Sequence, residues 1–180
     1  MWDVIGVELS EECILFLHNS YPSVDTILQD EFYLKLKKYI RHNFTNTYDH
    51  SIRVAVGAAI IAEWLHTDIE SAIKVALLHD MCFVNIDERK THGGFYAFYH
   101  PVEACENAEY RYGLTEIEKN AIKSHMFPLA IRIPMSRVAL ALTLSDKVIA
   151  IYEGLYFISL VRRCMCSVGM NMTHHRIYGI

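Results

Sequence analysis

Apolar residues recur along this chain mainly at spacings of three and four, the periodicity of a helix that buries one face. Strand-like alternation is rare. The pattern predicts helices over 26–41, 48–65, 68–80, 101–112, 115–125 and from about residue 136 onward. We therefore expect an all-α fold, a compact single-domain helical bundle of about six or seven helices.

Local sequence predicts where several of these helices begin. Thr67 followed by Glu70 has the spacing of a capping box. The same spacing separates Thr115 from Glu118. Pro101 suits the first position of a helix, because a residue there needs no amide donor.

Length and composition favour a globular protein. The chain has 180 residues, of which 52% are hydrophobic and 21% charged, which is enough to bury one core. Its net charge of −4 argues against a nucleic-acid partner. Five cysteines without framework spacing favour free thiols. The sequence has no secretory leader pattern and no uninterrupted apolar stretch of about 18 residues. We expect a cytoplasmic protein that does not enter membranes.

The predicted domain covers residues 1–180, with its core at about 26–155 and extensions at 1–25 and 156–180. The apolar segment Leu155–Val161 in the second extension is a candidate surface for a homodimer. Burial of this segment within the monomer is the alternative.

His79 and Asp80 carry the strongest chemical signal, because they end the apolar helical run 73–78. Adjacent helical residues point about 100° apart, so both can reach one site from different angles. Further candidate ligands stand at wide spacing: His50, His100, His125 and Asp146. Imidazoles and a few carboxylates from separate helices suit one or two transition-metal ions. The two oxygens of Asp80 would allow it to bridge a pair.

Each of these histidines, taken singly, is better explained as a hydrogen-bonded core residue than as a ligand. Asp146 is more informative, because it lies within the apolar sequence 138–151. A carboxylate buried there needs a cation or strong hydrogen bonds. Two such acids beside four histidines favour a metal site.

The ordered set formed by these six residues resembles the HD-domain metal-dependent phosphohydrolase superfamily. The similarity covers about residues 45–153. Several short segments of this chain particularly resemble an uncharacterised bacterial group of HD-domain proteins. The dipeptide alone would be uninformative; its order and helical context with the other residues carry the resemblance.

The resemblance implies which residues would bind metal. A first ion would be held by His50, His79, Asp80 and Asp146. A second ion would be held by His100 and His125, with Asp80 as the bridge, and a mononuclear site is the alternative. Nitrogen-rich ligation suits iron, manganese, cobalt, nickel or zinc better than magnesium.

The resemblance also implies an activity, namely hydrolysis of a phosphate ester or anhydride in a small metabolite, with a nucleotide as the leading candidate. A metal-bound hydroxide would attack phosphorus, so Asp80 is a catalytic candidate. A cationic side chain should share the phosphoryl charge, and we rank Arg53 first, Lys147 second and Lys123 third. The Gly-Lys that several HD phosphodiesterases carry after the dyad is replaced by the segment 81–84, which argues against phosphodiesterase-type activity.

The segment 82–99 breaks the helical periodicity and is expected to be a loop over the site, with the character of a lid. His92 within it is a candidate substrate contact, although we favour an exposed loop histidine. The aromatic residues at its end are candidates for stacking a nucleobase, with simple packing as the favoured alternative: Phe95, Tyr96, Phe98 and Tyr99.

Two other functions fit the same ligand pattern. A binuclear-iron oxygenase of the HD type would use similar residues. A non-catalytic regulatory module could hold a metal only for folding.

Overall fold

The computed structural model describes the backbone of residues 3–42, 45–84 and 95–177, and within these ranges the side chains of 10–40, 45–84, 95–157 and 159. Eight α-helices lie in these ranges: α1 Asp3–Ser20, α2 Asp25–Leu28, α3 Glu31–Leu34, α4 Thr47–Trp64, α5 Ile69–Leu78, α6 Tyr96–Tyr112, α7 Glu116–Ser124 and α8 Arg137–Ile177. Short 3-10 turns cover Pro22–Val24 and Lys35–Lys38. The strands β1 Ile40–His42 and β2 Thr45–Asn46 form one small antiparallel pair. The predicted all-α fold is confirmed.

The prediction of a single helix over 26–41 is wrong. The structure instead breaks this segment into α2, α3, a 3-10 turn and β1. The break lies at Asp30, whose side chain accepts a hydrogen bond from the amide of Phe32 and so starts a new helix. Arg111 and Tyr112 of α6 also donate hydrogen bonds to this carboxylate, at 2.8 and 2.7 Å. Contacts distant in sequence therefore override the local helical pattern.

The predictions of where helices begin are partly correct. The capping box of Thr115 and Glu118 is confirmed at the start of α7. Thr67 does not cap α5; Asp68 does so instead, accepting from the amide of Ser71. Pro101 lies inside α6 rather than at its first position, since the helix already begins at Tyr96.

The core forms where α4 packs against α1, α5 and α8. Small residues on α4, among them Ala55, Ala58 and Ala62, are fully buried and allow neighbouring helices to approach closely. No described helix has both the length and the apolar character needed to cross a bilayer.

Helices α4 and α8 make a particularly close contact at Gly57. The hydroxyl of Ser145 donates a 2.8 Å hydrogen bond to the carbonyl of Val54, and a Cβ atom added at Gly57 would overlap that hydroxyl oxygen. The same added atom would lie 3.5 Å from the Cβ of Ser145, an ordinary contact. This contact fixes the position of the next residue of α8, Asp146, relative to α4.

We predict that Gly57→Ala lowers the free energy of unfolding by about 1–3 kcal/mol, because it overpacks this contact. Alanine at an exposed helical position would instead stabilise the chain. Ser145→Ala removes the obstructing oxygen, so the double variant should recover most of the loss. Denaturant unfolding of the four proteins measures this coupling, and a Gly57→Ala variant as stable as the original chain would contradict it.

Candidate metal centre

Six polar side chains from five helices converge in the interior between α4, α5 and α8. His50 lies on α4 and Asp146 on α8, while His79 and His125 are the C-cap residues of α5 and α7. Asp80 follows His79, and His100 lies on α6. The side chains are almost inaccessible, with residue exposures between 0 and 4%. All six predicted ligands are therefore neighbours in space.

The four imidazole rings share one hydrogen-bonding arrangement. In three of them Nδ1 lies 2.7 Å from a backbone carbonyl oxygen of the same helix: His79 to Ala76, His100 to Tyr96, and His125 to Ile122. A carbonyl oxygen can only accept, so Nδ1 carries the proton and Nε2 presents its lone pair in the neutral ring. The fourth ring, His50, places Nδ1 3.0 Å from Glu153 Oε2. Each ring is thus anchored at Nδ1 and directs Nε2 toward the centre.

The carboxylate of Asp80 lies between two pairs of imidazoles. Its Oδ2 is 3.1 Å from Nε2 of His79 and 3.9 Å from Nε2 of His50. Its Oδ1 faces the other pair, 3.5 Å from Nε2 of His100 and 3.6 Å from Nε2 of His125. One oxygen of Asp80 therefore faces the pair His50 and His79, and the other faces the pair His100 and His125.

Asp146 completes the first side. Its Oδ1 is 3.2 Å from Nε2 of His50 and 3.7 Å from Nε2 of His79. On the second side, Nε2 of His100 and Nε2 of His125 are only 3.0 Å apart. Lone pairs and carboxylate oxygens this close together require a positive charge among them, either a proton or a metal ion. Two buried groups, His50–His79–Asp146 and His79–Asp80–His125, have the geometry to hold an ion.

Charges in the cluster are strongly coupled. Burial acts to lower the pKa of His79, but Asp80 and Asp146 outweigh it and raise that pKa to about 9. Burial acts to raise the pKa of Asp146, yet its contacts with His50 and His79 hold it well below the ordinary value. Burial, with His79 and His100 nearby, holds the pKa of His125 well below its ordinary value. Without metal, protons supply the balancing charge, and a cation would replace them.

The ends of two helices add to the preference for a cation. His79 and His125 occupy equivalent places at the C-termini of α5 and α7, each with φ −60° and ψ −25°. A helix C-terminus carries partial negative charge. Each helix ends at a residue whose side chain lies in the cluster, so its partial negative charge lies close to the cluster.

Glu153 is a site residue that the sequence reasoning missed. It accepts a hydrogen bond from Nδ1 of His50, and Arg53 donates to its other oxygen from Nε at 2.9 Å. Burial acts to raise the pKa of Glu153, but His50 and Arg53 hold it below the ordinary value. Its position gave a usable signal, because it is an acid in an apolar helix seven residues after Asp146. That interval of about two turns puts both on one helix face.

Arg53, ranked first as the cation facing substrate, occupies a different position. Its guanidinium pairs with Glu153 and donates to the hydroxyl of Ser10 on α1 at 3.0 Å. The residue is only 7% exposed. Arg53 therefore holds Glu153 beneath His50 instead of facing the cluster.

Lys147 is the predicted cation closest to the cluster. Its Nζ lies 2.6 Å from Asp146 Oδ2 and donates to the carbonyl of His125 at 2.9 Å, and its side chain is 30% exposed. In the described part of the chain, Lys123 makes no hydrogen bond or ion pair with the six converging residues. His92, and residues 85–94 of the predicted lid, lie outside the described residues.

At the start of α6, Tyr96 differs from Phe95 and Phe98 in its surroundings. The ring of Tyr96 stacks on that of His100, with centroids 4.3 Å apart, and so packs against a candidate ligand. Phe95 and Phe98 are 71% and 52% exposed, and their ring centroids lie 5.8 Å apart.

Comparison with known families gives one match. The family model described as HD domain matches residues 47–151, more than half of the chain and a span that includes all six converging residues. No curated protein and no solved structure matches the chain significantly.

We predict that Glu153→Gln weakens metal binding by about 10- to 100-fold, because Nδ1 of His50 loses its charged partner. The matched control is Glu116→Gln, whose side chain is 89% exposed and should leave the affinity unchanged. Calorimetric titration with Mn²⁺ measures both affinities. Equal affinities for Glu153→Gln and the original chain would contradict the positioning role of Glu153.

Proposed function

We propose that this chain, which belongs to the HD-domain family, is a metal-dependent phosphohydrolase acting on a small phosphorylated metabolite. The observation that carries this proposal is the position of Asp80, with one carboxylate oxygen facing each of two imidazole pairs. Four rings anchored at Nδ1 support the same conclusion, since this is how histidines are oriented around metal ions in proteins.

We assign two ions to the cluster. The first would be held by His50, His79, Asp146 and Oδ2 of Asp80, and the second by His100, His125 and Oδ1 of Asp80. The distances between these atoms support the division. Four imidazole nitrogens favour iron, manganese, cobalt, nickel or zinc over magnesium.

Divalent ions bound there would acidify a water molecule and neutralise charge on phosphoryl oxygens. The chain's own residues would provide the rest. The burial of the six ligands limits competing water and strengthens every charge interaction at the centre. Lys147 is the side chain we propose to share phosphoryl charge, because its ammonium group lies at the edge of the cluster and is partly exposed.

A nucleotide is the substrate class that we propose. Phe95 and Phe98 stand at the start of α6, within two turns of His100, and both rings are open to solvent. Exposed aromatic faces on the helix that carries a candidate metal ligand are suited to stacking a base. Tyr96 is less suited, because its ring already stacks on His100.

Metal content tests the two-ion assignment. We expect Asp80→Ala to lose nearly all bound metal, because both ions lose a ligand, and His125→Ala to lose about half. The control is His18→Ala, since His18 lies at the surface and pairs with Asp25. Elemental analysis of freshly purified proteins measures the stoichiometry. Full metal content in His125→Ala would remove the second ion from the proposal.

Phosphate release tests the activity. We expect the original chain to release phosphate from at least one nucleotide or small phosphate ester when it is supplied with Mn, Fe, Co or Ni, and to be much slower with Mg. Asp80→Ala should be inactive under every condition.

Two outcomes would contradict this activity. Oxygen uptake by anaerobically purified iron protein, without phosphate release, would point to an HD-type oxygenase. Absence of both reactions in protein with full metal content would leave a non-catalytic metal-holding module.

A further inference from the structure

One surface of α8 lacks the polar residues expected on a helix exposed to solvent. Between residues 138 and 157, the solvent-exposed residues of α8 are all aliphatic or aromatic, with exposures between 40 and 63%: Leu140, Leu144, Val148, Ile151, Tyr152 and Leu155. We call these six residues the α8 stripe. A surface helix normally carries its charged residues on this side. The acids of this helix lie elsewhere, since Asp146 and Glu153 belong to the metal centre.

The spacing within the stripe is that of a coiled coil. Leu144, Val148, Ile151 and Leu155 follow one another at intervals of four, three and four residues. This heptad pattern keeps an apolar seam facing one partner helix along its length. A seam of this kind is complementary to itself when two helices meet about a two-fold axis. The spacing therefore indicates which partner fits this surface, namely the same helix of a second copy.

From these observations we propose that the α8 stripe is the interface between two copies of this chain, packed helix against helix about a two-fold axis. The six side chains expose on the order of 500 Å² in each copy. Two copies would then bury about 1,000 Å² in total, the lower limit of a specific protein interface.

The charge distribution favours a second copy over other occupants. The stripe has no charged member that would select a different protein by electrostatic complementarity. A helix that lies on a membrane carries several Lys or Arg residues beside its apolar face. Between residues 137 and 157, α8 has only Arg137 and Lys147. The ammonium group of Lys147 is bonded to Asp146 and to the carbonyl of His125.

The proposed interface lies on a different side of α8 from the metal centre. Asp146 and Glu153 project from α8 toward His50, whereas the stripe is exposed to solvent. The proposed dimer is independent of the proposed activity. Variants of the stripe should keep their metal content and any phosphate release, so a failure of one proposal can be told from a failure of the other.

Sedimentation velocity of the full metal-loaded chain, from about 1 to about 100 µM, tests the interface. We expect a dimer whose dissociation constant lies in this range. Ile151→Glu places a carboxylate in the seam and should weaken association by about 100-fold or more. The matched control is Ile117→Glu on α7, where the isoleucine is 54% exposed, and it should dimerise like the original chain.

Val148→Thr provides a second variant that changes the shape of the stripe very little, and it should weaken association by about tenfold. Circular dichroism verifies that each variant keeps its helices. Three results would overturn the proposal: a monomeric original chain at every concentration, undiminished association of both stripe variants, or a monomer that binds vesicles of phosphatidylcholine and phosphatidylglycerol through the stripe.

Discussion

Two carboxylates and four imidazoles lie within a few ångströms of one another in the interior, and removal of water makes any unbalanced charge there costly. The protein limits the ways in which this charge can be balanced. Because Nδ1 of every ring is held by a carbonyl or by Glu153, only Nε2 remains directed at the centre. A cation among these nitrogens and the oxygens of Asp80 and Asp146 satisfies all of them together.

Contacts in the surrounding fold hold the converging side chains in position. His79 and His125 are positioned by the ends of two helices, so a shift of α5 or α7 would move a candidate ligand directly. His50 and Asp146 are set by the close packing of α4 on α8 at Gly57. Arg53 and Glu153 add an ion pair behind His50 and connect it through Ser10 to α1. Residues distant from the centre therefore determine its geometry.

The sequence predicted the six residues mainly through their order along the chain, which resembles the HD-domain superfamily. Some of them also stand where a polar group is unexpected. Asp146 lies in an apolar helix, and the pair His79 and Asp80 ends another. The capping box at Thr115 was also predicted correctly, although the same spacing at Thr67 did not form one. The partnership of Arg53 with Glu153 was not readable, because it depends on the register of two helices a hundred residues apart. The break at Asp30 was missed for the same reason, since Arg111 and Tyr112 hold it from α6.

An anomalous difference map, from crystals of freshly purified protein at the absorption edge of its native metal, tests the central claim most directly. We expect two peaks, one on each side of the Asp80 carboxylate, each ligated by Nε2 atoms of two histidines. A map with no peak between Asp80 and Asp146, or with an ion bound through Nδ1 of these rings, would contradict it.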